Sequence, residues 1–373
     1  MMQKVRLLLS SCDISCVRRP VFGNSEGTLK GTVCGEFSND LTAKPTVSKP
    51  AVTKAGHITL LSKDEVGLDF QEPGILTGYR YPESSFCLCL KSLFQLHNET
   101  LNIWTQIIPA LYFFVQFLTS VEVADRFLLV YLASTSVFFA TSTCAHTFNC
   151  ISPYARHLCF FLDYTGIALY SSGCAVCYYA YSLPSGLLGV NLFSAGAGDV
   201  YLFFSIFLSV WSTYLSCATR FWKPSFWRKF FRLLAFVCIW IYLAVPIALR
   251  MLSCGSLNTD SVGECASAHY WGLQFMFVLP SGLLYVSHFP ERWFPGKFDV
   301  FGHSHQIFHV LGALGAYNQY KALVVDHVQR EEIFRSFSYT PSFAFGLICI
   351  TTVTLSNIKI VQNSYKILTQ KMK

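Results

Sequence analysis

The sequence predicts an all-α integral membrane protein: a seven-transmembrane helical bundle with an eighth, C-terminal span and a cytosolic N-terminus. Three observations carry that prediction. Of the 373 residues, 53% are hydrophobic and only 13% are charged, about half the charged share of a soluble domain. Mean hydropathy is +0.42. Apolar stretches recur from residue 102 to 360, each near the ~20 residues that cross a hydrocarbon core. Finally, lysine and arginine crowd into alternate loops, which orients the chain in a bilayer. The net charge of +7 therefore belongs to loops and does not mark a nucleic-acid surface.

The elements follow in order. Residues 1–65 are rich in Ser, Thr, Gly and Lys without sustained periodicity, the composition of a disordered cytosolic tail. The apolar run Val5 to Leu9 is broken by Arg6 and is too short for a signal peptide. Residues 66–101 are mixed and predict an amphipathic, interfacial entry segment. The bundle occupies 102–360, with spans at 102–120, 127–148, 160–182, 200–218, 233–252, 269–288, 302–323 and 341–359. Pro246 predicts a kink in the fifth. Residues 361–373 form a short basic C-terminal tail.

Orientation comes from the short loops. Loop 219–232 holds Arg220, Lys223, Arg228, Lys229 and Arg232, and loop 289–301 holds Arg292 and Lys297. Loop 183–199 has neither Lys nor Arg. The basic loops belong inside, which places the N-terminus in the cytosol. Arg330 and Arg335, on the opposite side, run against the rule.

Fifteen cysteines define no single framework. Cys144, Cys174, Cys177, Cys217, Cys238 and Cys349 fall in predicted spans, where a thiol packs as a small hydrophobe. Cys254 and Cys265 flank a polar loop assigned to the outside, where a disulfide is chemically allowed.

The residues that point to chemistry are histidines. His305 and His309 stand four apart, so on a helix they share one face. His146 ends the second span and Asp163 opens the third, at the same cytosolic depth. Imidazoles and a carboxylate are costly at a bilayer edge unless they pair, meet water or hold a cation. Three imidazoles plus a water make an open tetrahedral zinc site. Ser142, one turn before His146, and Asp163 are the candidate catalytic groups if such a site hydrolyses. The plainer reading is hydrogen bonding between neighbouring helices. His303 is assigned to the interface, His157 to a solvated loop, and Asn98-Glu99-Thr100 to a sequon on the wrong side for a glycan. Glu99 and Asn102 are expected to tie the entry segment to the bundle, with Arg80 as a partner for Glu99.

At these residues the chain resembles the progestin and adipoQ receptors. The resemblance covers roughly residues 66–360. It rests on Gly78-Tyr79-Arg80, on Ser92 through Thr105, on Ser142 with His146, on Leu162-Asp163-Tyr164-Thr165-Gly166, and on Ser304-His305-Gln306-Ile307-Phe308-His309-Val310. Phe70 through Pro82 looks like the membrane progestin receptor branch, and within it the gamma type. The resemblance implies a seven-helix core with the N-terminus inside and zinc on His146, His305 and His309. It also implies an aspartate near the zinc-bound water at Asp163 and a serine at Ser142. Gln106 departs from the histidine common in the family at a position that is not a zinc ligand.

Two functions follow as expectations. One is a cell-membrane receptor for a progestin-type steroid or another lipid, acting through a heterotrimeric G protein. The other is a zinc-dependent intramembrane lipid amidase of the ceramidase kind.

Overall fold

The computed structural model describes residues 59–371, apart from 123, 193–194, 224 and 257–264. The segment assigned to a disordered tail lies outside the described residues up to position 58. Leu61, inside that assignment, already pairs with Tyr79 as an antiparallel bridge. The entry segment is mostly irregular, with one helix, α1 (Phe86–Ser92), capped by the Ser85 hydroxyl.

Eight helices of 20 residues or more follow among the described residues: α2 (Thr100–Ser120), α3 (Arg126–Phe148), α4 (Pro153–Cys177), α5 (Ala197–Thr219), α6 (Phe226–Ser256), α7 (Ala268–Ser287), α8 (Ser304–Gln329) and, after the short α9 (Glu331–Ser336), α10 (Phe343–Lys371). Each coincides with an apolar stretch read from the sequence. The helix containing the expected third span starts seven residues early, because Ser152 caps it and Pro153 supplies a preset first turn. It ends in a π-helical turn, Tyr178–Ser182. The chain assigned to a basic C-terminal tail is helical through Lys371. Val361, Ser364 and Leu368 extend the buried stripe there, so side-chain burial outlasts the apolar run.

Among the described residues, five helices are long and apolar enough to cross a membrane: Thr100–Ser120, Arg126–Phe148, Ala197–Thr219, Phe230–Cys254 and Phe343–Lys371. The remaining three carry the polar residues of the interior, such as Asp163 on α4, Gln274 on α7, and His305, Asn318, Gln319 and Asp326 on α8.

The packing traces a ring. Helices α2, α3, α4, α5 and α6 each pack on the next, α7 packs on α8, and α8 closes back on α2. The α6–α7 joint is the loose one, and an apolar groove of about 310 Å³ opens there between Trp240, Ala244, Ala248, Phe275 and Leu279. Helix α10 lies outside the ring, against α4 and α5. The interior is aromatic, with Phe113 stacked on Phe139 and Tyr131 on Tyr320.

The end formed by the C-termini of α6 and α8 is tied by a buried knot. Asp326 on α8 accepts from Arg250 on α6 at 2.9 and 3.0 Å, from Ser182 at 2.6 Å and from Trp271 on α7 at 3.3 Å. Arg330 donates to the Leu183 carbonyl at 2.7 Å and to that of Tyr181. A Cys254–Cys265 disulfide joins the two sides of the α6–α7 connection, which resolves the pairing the sequence left open.

Candidate metal centre

The opposite end of the ring holds the histidines. His146 sits in the last turn of α3, and His305 and His309 in the first two turns of α8. Their ligand atoms lie within 4.8 Å of one another and form a group that could hold a metal ion. The Nε2 atoms of His146 and His305 are 3.2 Å apart. Two nitrogens on one tetrahedral zinc at ~2.05 Å stand about 3.3 Å apart, so this spacing suits a shared ion. The donor set fits as well, being all imidazole and deep in the protein. His146 and His309 are buried and His305 is partly so.

Two of the remaining ring nitrogens are held by the surroundings. The His146 Nδ1 meets Glu99 Oε2 at 2.8 Å, and the His309 Nδ1 meets Thr105 Oγ1 at 3.3 Å. With Nδ1 engaged, each of these rings turns Nε2 to the centre, the usual role of a carboxylate or hydroxyl behind a metal-bound histidine. Glu99 is itself fixed by Asn102 Nδ2 at 2.6 Å and Asn149 Nδ2 at 2.9 Å. Sequence reading placed Glu99 and Asn102 as a structural tie and missed this role, because the contact spans 47 residues. The expected Arg80–Glu99 pair is not what forms. Arg80 donates instead to the carbonyls of His146 at 2.6 Å and Thr147 at 2.8 Å, to Asn149 Oδ1 at 3.0 Å and to Ser92. The last carbonyls of α3 have no partner within their own helix, and the Arg80 fork supplies one.

Asp163 lies in the third turn of α4 rather than at its start, since the helix begins at Pro153. It is not a member of the three-histidine group. Its carboxylate neighbours Ser142 and lies close enough to His146 to interact with it, so the two candidate catalytic residues stand beside the cluster. His303 stands at the N-cap position of α8 and is buried with Nε2 against the Asn98 carbonyl at 3.3 Å, outside the three-histidine group. That agrees with leaving His303 out of the metal ligands. His157 is half-buried in α4 and accepts from Arg220 at 3.1 Å, so it is not the solvated loop residue expected. Asn98 of the sequon is buried. Gln106 is buried on α2.

The entry segment covers this end. Asp299 accepts from the backbone of Leu76 at 3.0 Å and Thr77 at 2.7 Å, and Arg156 reaches Glu72 at 2.7 Å. Gly74, at φ +80°, passes so close that a Cβ would stand 2.6 Å from the Glu291 carbonyl oxygen. Glu291 caps the helix that carries His305 and His309, accepting from Ser304 N at 2.7 Å and from its hydroxyl. Burial opposes its charge, but the hydrogen bonds from His288 and Ser304 prevail and push the carboxyl down to about 2.

Comparison with known proteins agrees with this architecture. The model of the haemolysin-III-related family matches residues 94–320, which contain all three histidines. Human membrane progestin receptor gamma is 37% identical over 312 residues, 80% of this chain and 92% of that protein. Human membrane progestin receptor delta is 37% identical over 297 residues, 77% of this chain and 83% of its own. Human membrane progestin receptor beta is 28% identical over 281 residues, 71% and 75% of the two chains. Helices apolar enough to cross a bilayer, a ring of packed spans and a family match across both ends of the histidine cluster lead to one conclusion: this multi-pass membrane protein belongs to the haemolysin-III-related, progestin and adipoQ receptor family.

Proposed function

We propose that the protein is a membrane receptor for progestin-type steroids that holds one zinc ion on His146, His305 and His309 and signals through a heterotrimeric G protein. The observation that carries the reading is the three-histidine cluster, inside a bundle related over most of its length to proteins named membrane progestin receptors. The aromatic interior and the apolar α6–α7 groove suit a sterol skeleton. We further propose that all eight long helices cross the bilayer with the N-terminus cytosolic. The burial of Arg250 and Arg330 supports this, because two of the basic residues on the far side are spent inside the protein rather than in a loop.

The second reading is a lipid amidase, favoured by the Ser142–Asp163 pair beside the cluster. Zinc, when bound, would supply a Lewis acid and acidify a water on the ligand position the histidines leave open. Asp163 would hold or release the proton of the attacking group, with Ser142 fixing its carboxylate.

One preparation of the full-length protein tests both readings. Zinc content, progesterone binding and ceramide turnover are measured together, before and after chelation. Wild type is expected to hold about one zinc per chain. His305→Ala and His309→Ala should lose most of it, and His303→Ala should not. Asp163→Asn should keep the metal and bind steroid within about threefold, under ~1 kcal/mol, if the protein is a receptor. Equal zinc in wild type and in the His146, His305, His309 triple alanine variant rejects the metal site.

A further inference from the structure

Beyond the metal site, a second pair of reactive groups lies at the same end of the bundle. Cys89 on α1 and Cys150, just past α3, are both buried free thiols with their Sγ atoms 3.5 Å apart. We propose that Cys89 and Cys150 are a modification site, a redox-reactive dithiol at which a peroxide closes a disulfide between α1 and the end of α3. A disulfide needs the sulfurs to approach by about a further 1.5 Å, within reach of small rotations at two side chains.

The surroundings hold the pair in register. Phe86 stacks on Phe148 with ring centroids 4.8 Å apart, the Ser84 amide donates to the Cys150 carbonyl at 3.3 Å, and Arg80 grips the carbonyls of His146 and Thr147. The two cysteines therefore face each other across a seam already closed above and below them. The contact between the two sulfurs, with the Arg80 charge nearby, pulls the Cys150 thiol down, which favours the thiolate that attacks an oxidant.

The chemistry balances with hydrogen peroxide as co-reactant. One thiol, as thiolate, attacks a peroxide oxygen, the O–O bond breaks, and a sulfenic acid forms as one water leaves. The second sulfur displaces the hydroxyl, the S–S bond forms, and a second water leaves. Two electrons pass from the two sulfurs to the peroxide, and both thiol protons end in water. Buried sulfurs meet the oxidant when α1 opens locally. A helix of seven residues has little stability of its own. Once formed, the bond fixes α1 to the end of the helix that carries His146. Neither sulfur belongs to the three-histidine group.

The test treats the full-length protein in detergent micelles with graded hydrogen peroxide, blocks remaining thiols by alkylation, and maps peptides by mass spectrometry. A Cys89–Cys150 linked peptide should exceed about half of the material before Cys150 links to any other cysteine. It should revert fully with dithiothreitol. Deuterium uptake across Phe86–Ser92 should fall on oxidation in wild type and stay unchanged in Cys89→Ser and Cys150→Ser. Recovery of both cysteines as alkylated thiols throughout the titration overturns the proposal. So does a linked peptide joining Cys150 to Cys87, or uptake in α1 that does not change once the link has formed.

Discussion

At the scale of single residues, the proposed metal centre rests on groups that hold its histidines as much as on the histidines. Glu99 is the sharpest case, buried, bound by Asn102 and Asn149, and set 2.8 Å from the His146 ring. Glu99→Gln keeps the shape but can no longer accept hydrogen bonds from His146, Asn102 and Asn149 together, because half of its head becomes a donor. Zinc affinity is expected to drop about 10- to 100-fold, the usual cost of losing the group behind a ligating histidine. Competition against a calibrated chelator measures it. Affinity within twofold of wild type would show that Glu99 serves only the entry segment. Thr105→Val, which removes a longer contact at 3.3 Å, should cost less. The histidines were legible in the sequence, since four-residue spacing on a helix is a local signal. Glu99, Arg80 and the burial of His303 were not, because their partners lie 47, 66 and 205 positions away.

At the scale of elements, close approach of helices depends on small residues. Gly166 and Gly173 lie two turns apart on α4 and face α3. A Cβ at Gly173 would stand 2.8 Å from the Ser134 Cβ, and one at Gly166 would stand 3.3 Å from the Phe138 Cα. Without a hydrophobic drive between spans, such close packing is a main source of helix association. Gly173→Val should therefore destabilise the bundle by about 1–3 kcal/mol through overpacking. A thermal unfolding midpoint in detergent would show the drop, whereas Gly282→Ala, with open space at its Cβ, serves as the neutral comparison. An unchanged midpoint for Gly173→Val would mean that α3 and α4 can separate at no cost. Apolar stretches located every long helix, yet polar interior residues kept three of them below a simple apolarity threshold. Their ends shifted where a cap or a buried stripe took over, as at Ser152 and at Leu368.

At the scale of the whole molecule, the two ends of the ring carry different loads. One end gathers the histidines, the entry segment and the basic loop from Arg220 to Arg232. The other gathers the Asp326 knot, the disulfide and the loop 183–199 without basic residues. An epitope at the N-terminus should be shielded from antibody in intact cells, and one inserted after Ala195 should be reached without permeabilisation. The reverse pattern would put the metal centre on the outer face and reject the proposed orientation. The sequence by itself determined that the chain crosses a membrane, where its long helices lie and which three histidines share a depth. Hydropathy, loop charge and helical spacing are properties of neighbouring residues. Only the tertiary structure decided that α8 closes the ring on α2, that Glu99 stands behind His146, and that Arg250 finds Asp326. Each joins side chains from elements far apart in the chain, and a buried polar group is fixed by whichever partner the packing brings within reach, which no local pattern encodes.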